Sequence, residues 1–219
     1  MNRRPTLFAA ITLTAAAALT LSACGGGDSD SSKDNDKIAG ADTGSEESAS
    51  PSESATDSAE RPKIELPSDV TLTFTPEQAG DPVQAAVLKD NAEFIRALNA
   101  AIVAQNPRLP ALEYYTEGEG AVEAEEWVKA FKDAGWTITG SVRYFDRQVT
   151  VKSKDSASLT YCGDESKGFS KVIKTGEVKG TEVNKDSYIA YAVQVQKNKE
   201  GVWELVKILS TRGADRCQP

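Results

Sequence analysis

The chemistry open to this chain is limited first by histidine, which is absent from all 219 residues. Its absence excludes Ser-His-Asp and Cys-His nucleophilic arrangements and every metal site that needs an imidazole ligand. The sequence also contains no GxSxG, no phosphate-binding P-loop and no GxGxxG after a strand-like segment. The common signatures of hydrolases, nucleotide-binding enzymes and dehydrogenases are therefore missing.

Aspartates and tyrosines are the remaining candidates for acid–base chemistry. A carboxylate in an apolar pocket can act as a base, and a phenol can stabilise an enolate-like oxygen. Asp146 or Asp164 would supply the carboxylate. Four residues could supply the phenol: Tyr114, Tyr115, Tyr144 and Tyr161. We favour the structural alternative, because tyrosines at alternating strand positions are usually core residues and Asp146 and Asp164 are typical of turns.

The amino terminus has the pattern of an export signal. A basic start with Arg3 and Arg4 precedes an uncharged apolar run over residues 7–21 that ends in small residues. The run is shorter than the about 20 apolar residues of a membrane-spanning helix, so we favour a cleaved signal over a permanent anchor. The residues after Arg4 match the twin-arginine motif poorly, which favours the general secretory route.

Leu21-Ser22-Ala23-Cys24 follows this run and resembles the bacterial lipobox. The resemblance implies cleavage between Ala23 and Cys24, a diacylglycerol on the Cys24 sulfur, and acylation of the new amino terminus, with palmitate among the acyl groups. Two or three acyl chains hold a protein firmly on a membrane, whereas one is marginal. We therefore predict a lipoprotein on the extracytoplasmic face of the cell membrane, with residues 1–23 as its signal peptide.

Residues 24–63 are predicted to be a disordered tether. Ser, Asp, Glu, Ala, Thr and Gly dominate the segment, which cannot bury enough apolar surface to fold. Residues 28–63 carry ten acidic and four basic side chains. A solvated spacer is the usual meaning of such a run, and an acidic patch for cations or a basic partner is the alternative. The signal, Cys-Gly-Gly-Gly and the acidic tail together are similar to actinobacterial lipoproteins.

Residues 64–219, about 155 in number, suffice for one ordinary hydrophobic core. Apolar residues first recur at helical spacing, and after Trp136 they alternate with polar ones. Helices followed by strands indicate an α+β domain with helices packed on one face of a curved antiparallel sheet. The predicted elements are a helix that begins at Thr75 or Asp81 and ends at Asn106, a helical turn over 110–115, a helix from Thr116 to Gly135, and strands that end in a hairpin over 188–209.

Cys162 and Cys217 remain once Cys24 carries the lipid. An oxidising compartment favours a disulfide between them. A closed loop of about 55 residues would stabilise the fold by roughly 4 kcal/mol. A redox or metal-binding pair is the alternative, but two thiolates without histidine lack the usual further ligands. We favour the structural disulfide and predict neither a metal nor a cofactor.

The element order over residues 80–212 resembles the nuclear transport factor 2-like superfamily, including its polyketide-cyclase-like branch. The likeness lies in residues 110–116, in the hairpin over 188–209 and in Gly201-Val202-Trp203-Glu204-Leu205. It implies a cone-shaped pocket between helices and sheet. Superfamily enzymes often use a His-Asp pair or an Asp with a tyrosine, and only the second is available here.

The residues that this resemblance places near such a pocket are Tyr114, Tyr115, Trp127, Trp136, Tyr144 and Tyr161. For the two tryptophans, core packing is the interpretation that we favour. Glutamates 123, 125 and 126 are interpreted as a solvated helix face.

Three functions remain open. The first, which we favour, is a membrane-tethered domain that binds an unidentified small molecule or protein. The second is a small histidine-free enzyme of the cyclase or isomerase type, and the third is an accessory domain of an envelope assembly. Residues 64–219 carry 19 basic and 23 acidic side chains without a basic stripe, so nucleic acid is not expected as a partner.

Overall fold

Residues 60–219 are described by the computed structural model; the predicted signal peptide, the lipidation site at Cys24 and most of the predicted tether lie outside them. Three helices pack on one face of a curved, unclosed sheet of six strands, which confirms the predicted fold class. No helix within residues 60–219 has the length and apolar content needed to cross a membrane. In chain order the elements are β1 (Val70–Phe74), α1 (Pro82–Ala104), α2 (Pro110–Tyr114), α3 (Gly118–Ala134), β2 (Trp136–Ser153), β3 (Ser156–Val172), β4 (Val178–Lys179), β5 (Tyr188–Lys197) and β6 (Trp203–Arg212).

Helix α1 begins at Pro82 because Asp81 caps it. The Asp81 carboxylate accepts a hydrogen bond from the Gln84 backbone N–H at 2.9 Å, and proline at the first position has no N–H to leave unsatisfied. The alternative start at Thr75 is wrong, since β1 ends there and no helix begins before Pro82 in the described residues. The helix ends at Gln105, whose φ of 54° is left-handed.

Helices α2 and α3 lie where the sequence predicted them, but α3 does not begin in the predicted way. Helix α2 confirms the predicted helical turn. Helix α3 starts after Glu117 without a side-chain cap, so the predicted start at Thr116 is one residue early and Thr116 does not cap the helix. The Thr116 hydroxyl instead donates to the Leu112 carbonyl oxygen at 2.9 Å. The predicted end at Gly135 is confirmed, with a φ of 67° that favours glycine.

The sheet has the strand order β1-β2-β3-β5-β6, with β4 paired to β3. The predicted antiparallel strands are present: β2, β3, β5 and β6 each pair antiparallel with their neighbour, and β5 and β6 form the expected hairpin. Strand β1 was not predicted. It lies parallel to β2 at the edge of the sheet, and its strictly alternating Val-Thr-Leu-Thr-Phe was a usable strand signal.

Asp146 and Asp164 lie inside strands β2 and β3, which corrects their interpretation as turn residues. Asp146 occupies a bulge between Phe145 and Gln148, where its φ of 51° interrupts the extended backbone. Asp164 pairs across the sheet with Arg143, whose guanidinium is 3.3 Å from its carboxylate. No glycine or proline marks the bulge at Asp146, so the sequence pattern did not show that the strand continues past this residue.

The predicted disulfide between Cys162 and Cys217 is present, with the two Cα atoms 5.4 Å apart. Cys162 lies on β3 and Cys217 follows β6. Arg216 adds hydrogen bonds from its guanidinium to the carbonyl oxygens of Tyr161 at 3.4 Å and Tyr191 at 3.5 Å. The end of the chain is therefore fixed to β3 and β5.

A carboxylate is buried in the helix layer. Asp90 on α1 has no exposed surface, and its Oδ1 accepts hydrogen bonds from Arg61 Nε at 3.2 Å and Nη2 at 2.7 Å. Its Oδ2 accepts from the Trp203 backbone N–H at 2.9 Å. Because Arg61 precedes β1, this carboxylate joins the segment before the sheet to both α1 and β6.

Candidate ligand-binding cavity

A cavity of about 550 Å³ lies between helices α1 and α3 and the facing strands of the sheet. Its walls come from both helices and from β1, β2, β3, β5 and β6. Pockets that bind small molecules typically measure roughly 300–1,000 Å³. The size and position are those of a ligand site enclosed by the fold.

Most of the wall is apolar or aromatic. Phe94 and Leu98 line it from α1, Phe131 from α3, and Ile138 and Phe169 from the sheet. Leu98 and Ile138 pack against the core and yet are only half-buried, because the cavity leaves one side of each without packing partners. Such walls shield an apolar ligand from water.

Helix α3 packs closely on β6 near its start and carries an exposed residue of the cavity lining further along. Near its start, a Cβ on Gly120 would lie 2.6 Å from the Leu205 carbonyl oxygen, so only glycine allows this close contact with β6. About two turns later, Trp127 lines the cavity and is 50% exposed. The side of α3 that carries Trp127 therefore borders the mouth.

Three tyrosine rings contact one another along the sheet. The ring centroids of Tyr161 and Tyr191 are 4.9 Å apart, and Tyr144 lies 6.1 Å and 6.5 Å from them. Tyr144 and Tyr191 line the cavity, whereas Tyr161 does not. Burial raises the pKa of all three phenols, that of Tyr161 to about 12. At neutral pH they are protonated, so they can donate hydrogen bonds but cannot serve as bases.

Asn99 on α1 places an amide beside this phenol group. Its hydrogen bond to Tyr144 opposes the rise in the Tyr144 pKa that burial causes. The Asn99 Nδ2 also donates to the Ile95 carbonyl oxygen at 2.7 Å. Amide and phenol together offer a ligand both an acceptor and a donor in a largely apolar wall.

Three charged side chains line the cavity: Glu123, Glu165 and Arg212. The Arg212 Nη2 is 3.0 Å from a Glu165 carboxylate oxygen, so these two charges compensate each other. Glu123 accepts a hydrogen bond from the Ile208 backbone N–H at 3.3 Å, and no lysine or arginine of residues 60–219 forms an ion pair with it. The lining therefore carries one uncompensated negative charge.

The position of Glu123 corrects the interpretation of glutamates 123, 125 and 126 as a solvated face. Glu123 and Trp127 are four residues apart on α3 and so share one face of the helix, which lines the cavity. Glu126 is exposed, as expected.

Two of the six residues predicted near the pocket, Trp127 and Tyr144, line the cavity. The other four lie elsewhere. Tyr161 is buried against Tyr144 and Tyr191. Tyr114 and Tyr115 pack edge to face at α2 with centroids 5.0 Å apart, and Trp136 lies at the start of β2, 5.7 Å from the Lys179 ammonium.

The polar side chains of the lining that the sequence did not assign to the pocket are Asn99, Glu123, Thr139, Glu165, Ser170, Tyr191, Ser210 and Arg212. The alternation in β5 was a usable signal for Tyr191. No comparable signal marked the others, because each is a common polar residue on an amphipathic element. No group of three or more Cys, Asp or Glu side chains suited to a metal ion occurs in the part of the chain that the structure describes.

Comparison with known proteins gave structural matches only: no protein-family model and no curated protein matches the chain. A ketosteroid isomerase-like protein from Erwinia carotovora atroseptica is 16% identical with a TM-score of 0.41, and the match covers 60% of this chain and 97% of that one. A putative ketosteroid isomerase from Shewanella frigidimarina is 16% identical with a TM-score of 0.35, covering 59% and 98%. The intermembrane-space region of the chloroplast protein ARC6 is 12% identical with a TM-score of 0.37, covering 58% and 96%.

Proposed function

We propose that this chain is an exported lipoprotein, anchored by lipid on Cys24 at the extracytoplasmic face of the cell membrane, whose folded domain binds a small, mainly apolar molecule. The binding function rests on the cavity of about 550 Å³ between α1, α3 and the sheet. The location rests on the export signal and on the lipobox-like residues that end at Cys24.

The cavity supports binding because cores are normally close-packed, with few voids larger than a water molecule. Its aromatic walls provide apolar contact, and the Asn99–Tyr144 pair provides one directional polar contact. Ligand sites commonly combine these two features.

Binding is tested with the neutral fluorescent probe N-phenyl-1-naphthylamine and the mature chain, residues 24–219, carrying Cys24→Ser to prevent lipidation. We expect saturable fluorescence enhancement. Ala124→Phe places a ring in the cavity, because Ala124 lines it from α3 and is 5% exposed. We expect this variant to raise the probe's Kd at least about tenfold, a loss of about 1.4 kcal/mol.

The matched control is Val122→Phe, which adds the same ring at a position on α3 that is 56% exposed. It should leave the Kd unchanged. Extra volume at a buried position such as Ala124 can strain the core. Ser210→Phe is therefore a second blocking variant, because it introduces the ring from β6 at an exposed residue that lines the cavity. No saturable binding by the unsubstituted chain, or equal binding by all variants, would contradict the proposal.

Anchoring is tested separately, by labelling cells that express the full chain with radioactive palmitate. We expect label on the protein and recovery in the membrane fraction. Cys24→Ser should remove the label, whereas Cys162→Ser should retain it. Label that persists in Cys24→Ser would rule out lipidation at this residue.

A second candidate function, proton transfer next to a carbonyl group, is favoured by one observation. Burial is the main cause of the raised pKa values of Tyr144 and Tyr191, and the negative charge of Glu165 adds to both. A carboxylate therefore lies near two phenols in the cavity wall, the arrangement needed for enolisation. The ion pair with Arg212 makes this Glu165 less available as a base.

This alternative is tested by following deuterium exchange at the α-carbons of 2-tetralone by NMR. Catalysis would appear as exchange faster than in buffer and lost in Glu165→Gln, but retained in Glu126→Gln, which alters an exposed residue on α3. Exchange at the rate of buffer alone would exclude enolisation of this ketone and leave binding as the function.

A further inference from the structure

The charged side chains that line the cavity indicate whether its apolar ligand carries a positive or a negative group. Arg212, the only cation among the described lining residues, has its guanidinium on Glu165 at 3.0 Å and on the Asp186 carbonyl oxygen at 2.6 Å. Glu123 on α3 has no such partner and receives one backbone N–H, from Ile208 on β6. An anionic ligand would meet this carboxylate unscreened by a cation, while a cationic one would neutralise it.

Lys207, the lysine next to the residue whose N–H binds Glu123, already forms an ion pair with another glutamate. Lys207 precedes Ile208, and its ammonium lies 3.0 Å and 3.2 Å from the two carboxylate oxygens of Glu119. Glu119 is one turn before Glu123 on α3, so Lys207 is engaged by the neighbouring glutamate. The charge at Glu123 is therefore free to attract a ligand.

An aromatic ring accompanies this carboxylate. Trp127 lies one turn after Glu123, lines the same cavity and is 50% exposed. In residues 60–219 the other two tryptophans each have a lysine ammonium near the ring, at 5.7 Å for Trp136 and 5.9 Å for Trp203, whereas no cation contacts Trp127. Tryptophan is the side chain that attracts a cation over its face most strongly.

We infer that the ligand is an amphiphilic cation, with an apolar body in the cavity and an ammonium group held at the mouth between the Glu123 carboxylate and the Trp127 ring. This inference rests on the proposed binding function and names the chemical class of its ligand. The cavity supplies the apolar contact, and the paired mouth residues supply selectivity for positive charge.

The test measures displacement of N-phenyl-1-naphthylamine from the mature Cys24→Ser chain by two amphiphiles of equal chain length below their micelle concentrations. These are decyltrimethylammonium and decyl sulfate. One partly exposed ion pair and one cation–π contact predict a Kd for the cation about tenfold lower than for the anion. The preference should weaken as salt rises, because the carboxylate is partly exposed.

Glu123→Gln should reduce this preference at least about threefold while keeping an oxygen that can accept the Ile208 N–H. Trp127→Leu should reduce it as well. Glu126→Gln, an exposed glutamate on the same helix, is the matched control and should keep the full preference. Thermal unfolding of each variant verifies that it is folded.

The outcomes separate the two proposals. If the neutral probe does not bind the unsubstituted chain, both fail. If the probe binds but the cation is not preferred over the anion, or if Glu123→Gln keeps the full preference, the binding function stands and the inference about the ligand is wrong.

Discussion

Replacing Arg61 by methionine removes the cation that faces the buried carboxylate of Asp90 but keeps a side chain of similar length. The Arg61 side chain is 15% exposed and that of Asp90 is 0% exposed, so water cannot readily replace the lost guanidinium. The Trp203 N–H would remain as a hydrogen-bond partner. The variant therefore leaves a buried negative charge with only one neutral donor among the contacts described.

Breaking a buried pair by removing one partner costs about 3–5 kcal/mol. The surviving hydrogen bond and the slight exposure of Arg61 favour the lower end, so we expect about 3 kcal/mol. For a domain of this size each kcal/mol lowers the Tm by roughly 2–4 °C. Arg61→Met should therefore lower the Tm by about 6–12 °C.

The loss should depend on pH with a definite sign. Burial raises the pKa of Asp90 even with Arg61 present, and removal of the cation raises it further. An aspartate with a raised pKa binds its proton more tightly in the folded state than in the unfolded state. Stability then falls as pH rises from the unfolded pKa of about 4 up through the folded value. Arg61→Met should be closer to the parent protein at pH 5 than at pH 8.

Guanidinium denaturation of the mature Cys24→Ser chain at both pH values measures these differences. The matched control is Lys63→Met, two residues away, whose side chain is 85% exposed and pairs with an exposed glutamate. It should change stability by less than about 1 kcal/mol. The double variant Arg61→Met with Asp90→Asn should be more stable than Arg61→Met alone, because no buried charge remains. A loss below 1 kcal/mol in Arg61→Met without pH dependence would refute this account of Asp90.

The remaining predictions concern the disulfide, the closed end of the cavity and the buried phenols. Replacing Cys162 and Cys217 by alanine opens a loop with a sequence separation of 55, so the free energy of unfolding should fall by about 4 kcal/mol in a denaturation experiment. A much smaller loss would mean that the end of the chain stays ordered without the disulfide. Gly120→Ala should cost about 1–3 kcal/mol in the same assay, because its Cβ would meet the Leu205 carbonyl oxygen; an unchanged midpoint would contradict the close approach of α3. Absorbance at 295 nm should show four tyrosines that ionise well above pH 10 in the folded protein and near pH 10 once unfolded, so stability should fall as pH rises above about 10. These four are Tyr115, Tyr144, Tyr161 and Tyr191.

The sequence predicted the fold where local patterns and packing agree. Helix α3 ends at the glycine that the pattern marked, and β5 and β6 form the hairpin where the sequence placed it. The helix start predicted at Thr75 failed because β1 extends to Phe74, so the chain there is part of the sheet edge. A local helix signal cannot show that a parallel strand pairing more than 60 residues away in sequence will prevail.

The cavity could be predicted only in outline. A helix layer on a curved sheet implies an enclosed space, but the side chains that face it depend on bulges and on helix rotation. Glu165 and Arg212 lie on different strands, and their ion pair forms through the register of β3, β5 and β6. The sequence favoured tyrosines for the pocket because they are conspicuous, and two of those chosen pack at α2 instead.

The shape of the cavity follows from where small residues let backbones approach. A Cβ on Gly140 would lie 2.1 Å from the Lys167 carbonyl oxygen, and one on Gly168 would lie 2.7 Å from a Val142 methyl group. These contacts lie beside a register shift between β2 and β3, which bends the sheet. Gly120 brings the start of α3 against β6, whereas Trp127 on the same helix borders the mouth. Close packing at Gly120 therefore narrows the cavity at the start of α3, and the carboxylate and tryptophan that follow on this helix are placed to select what enters.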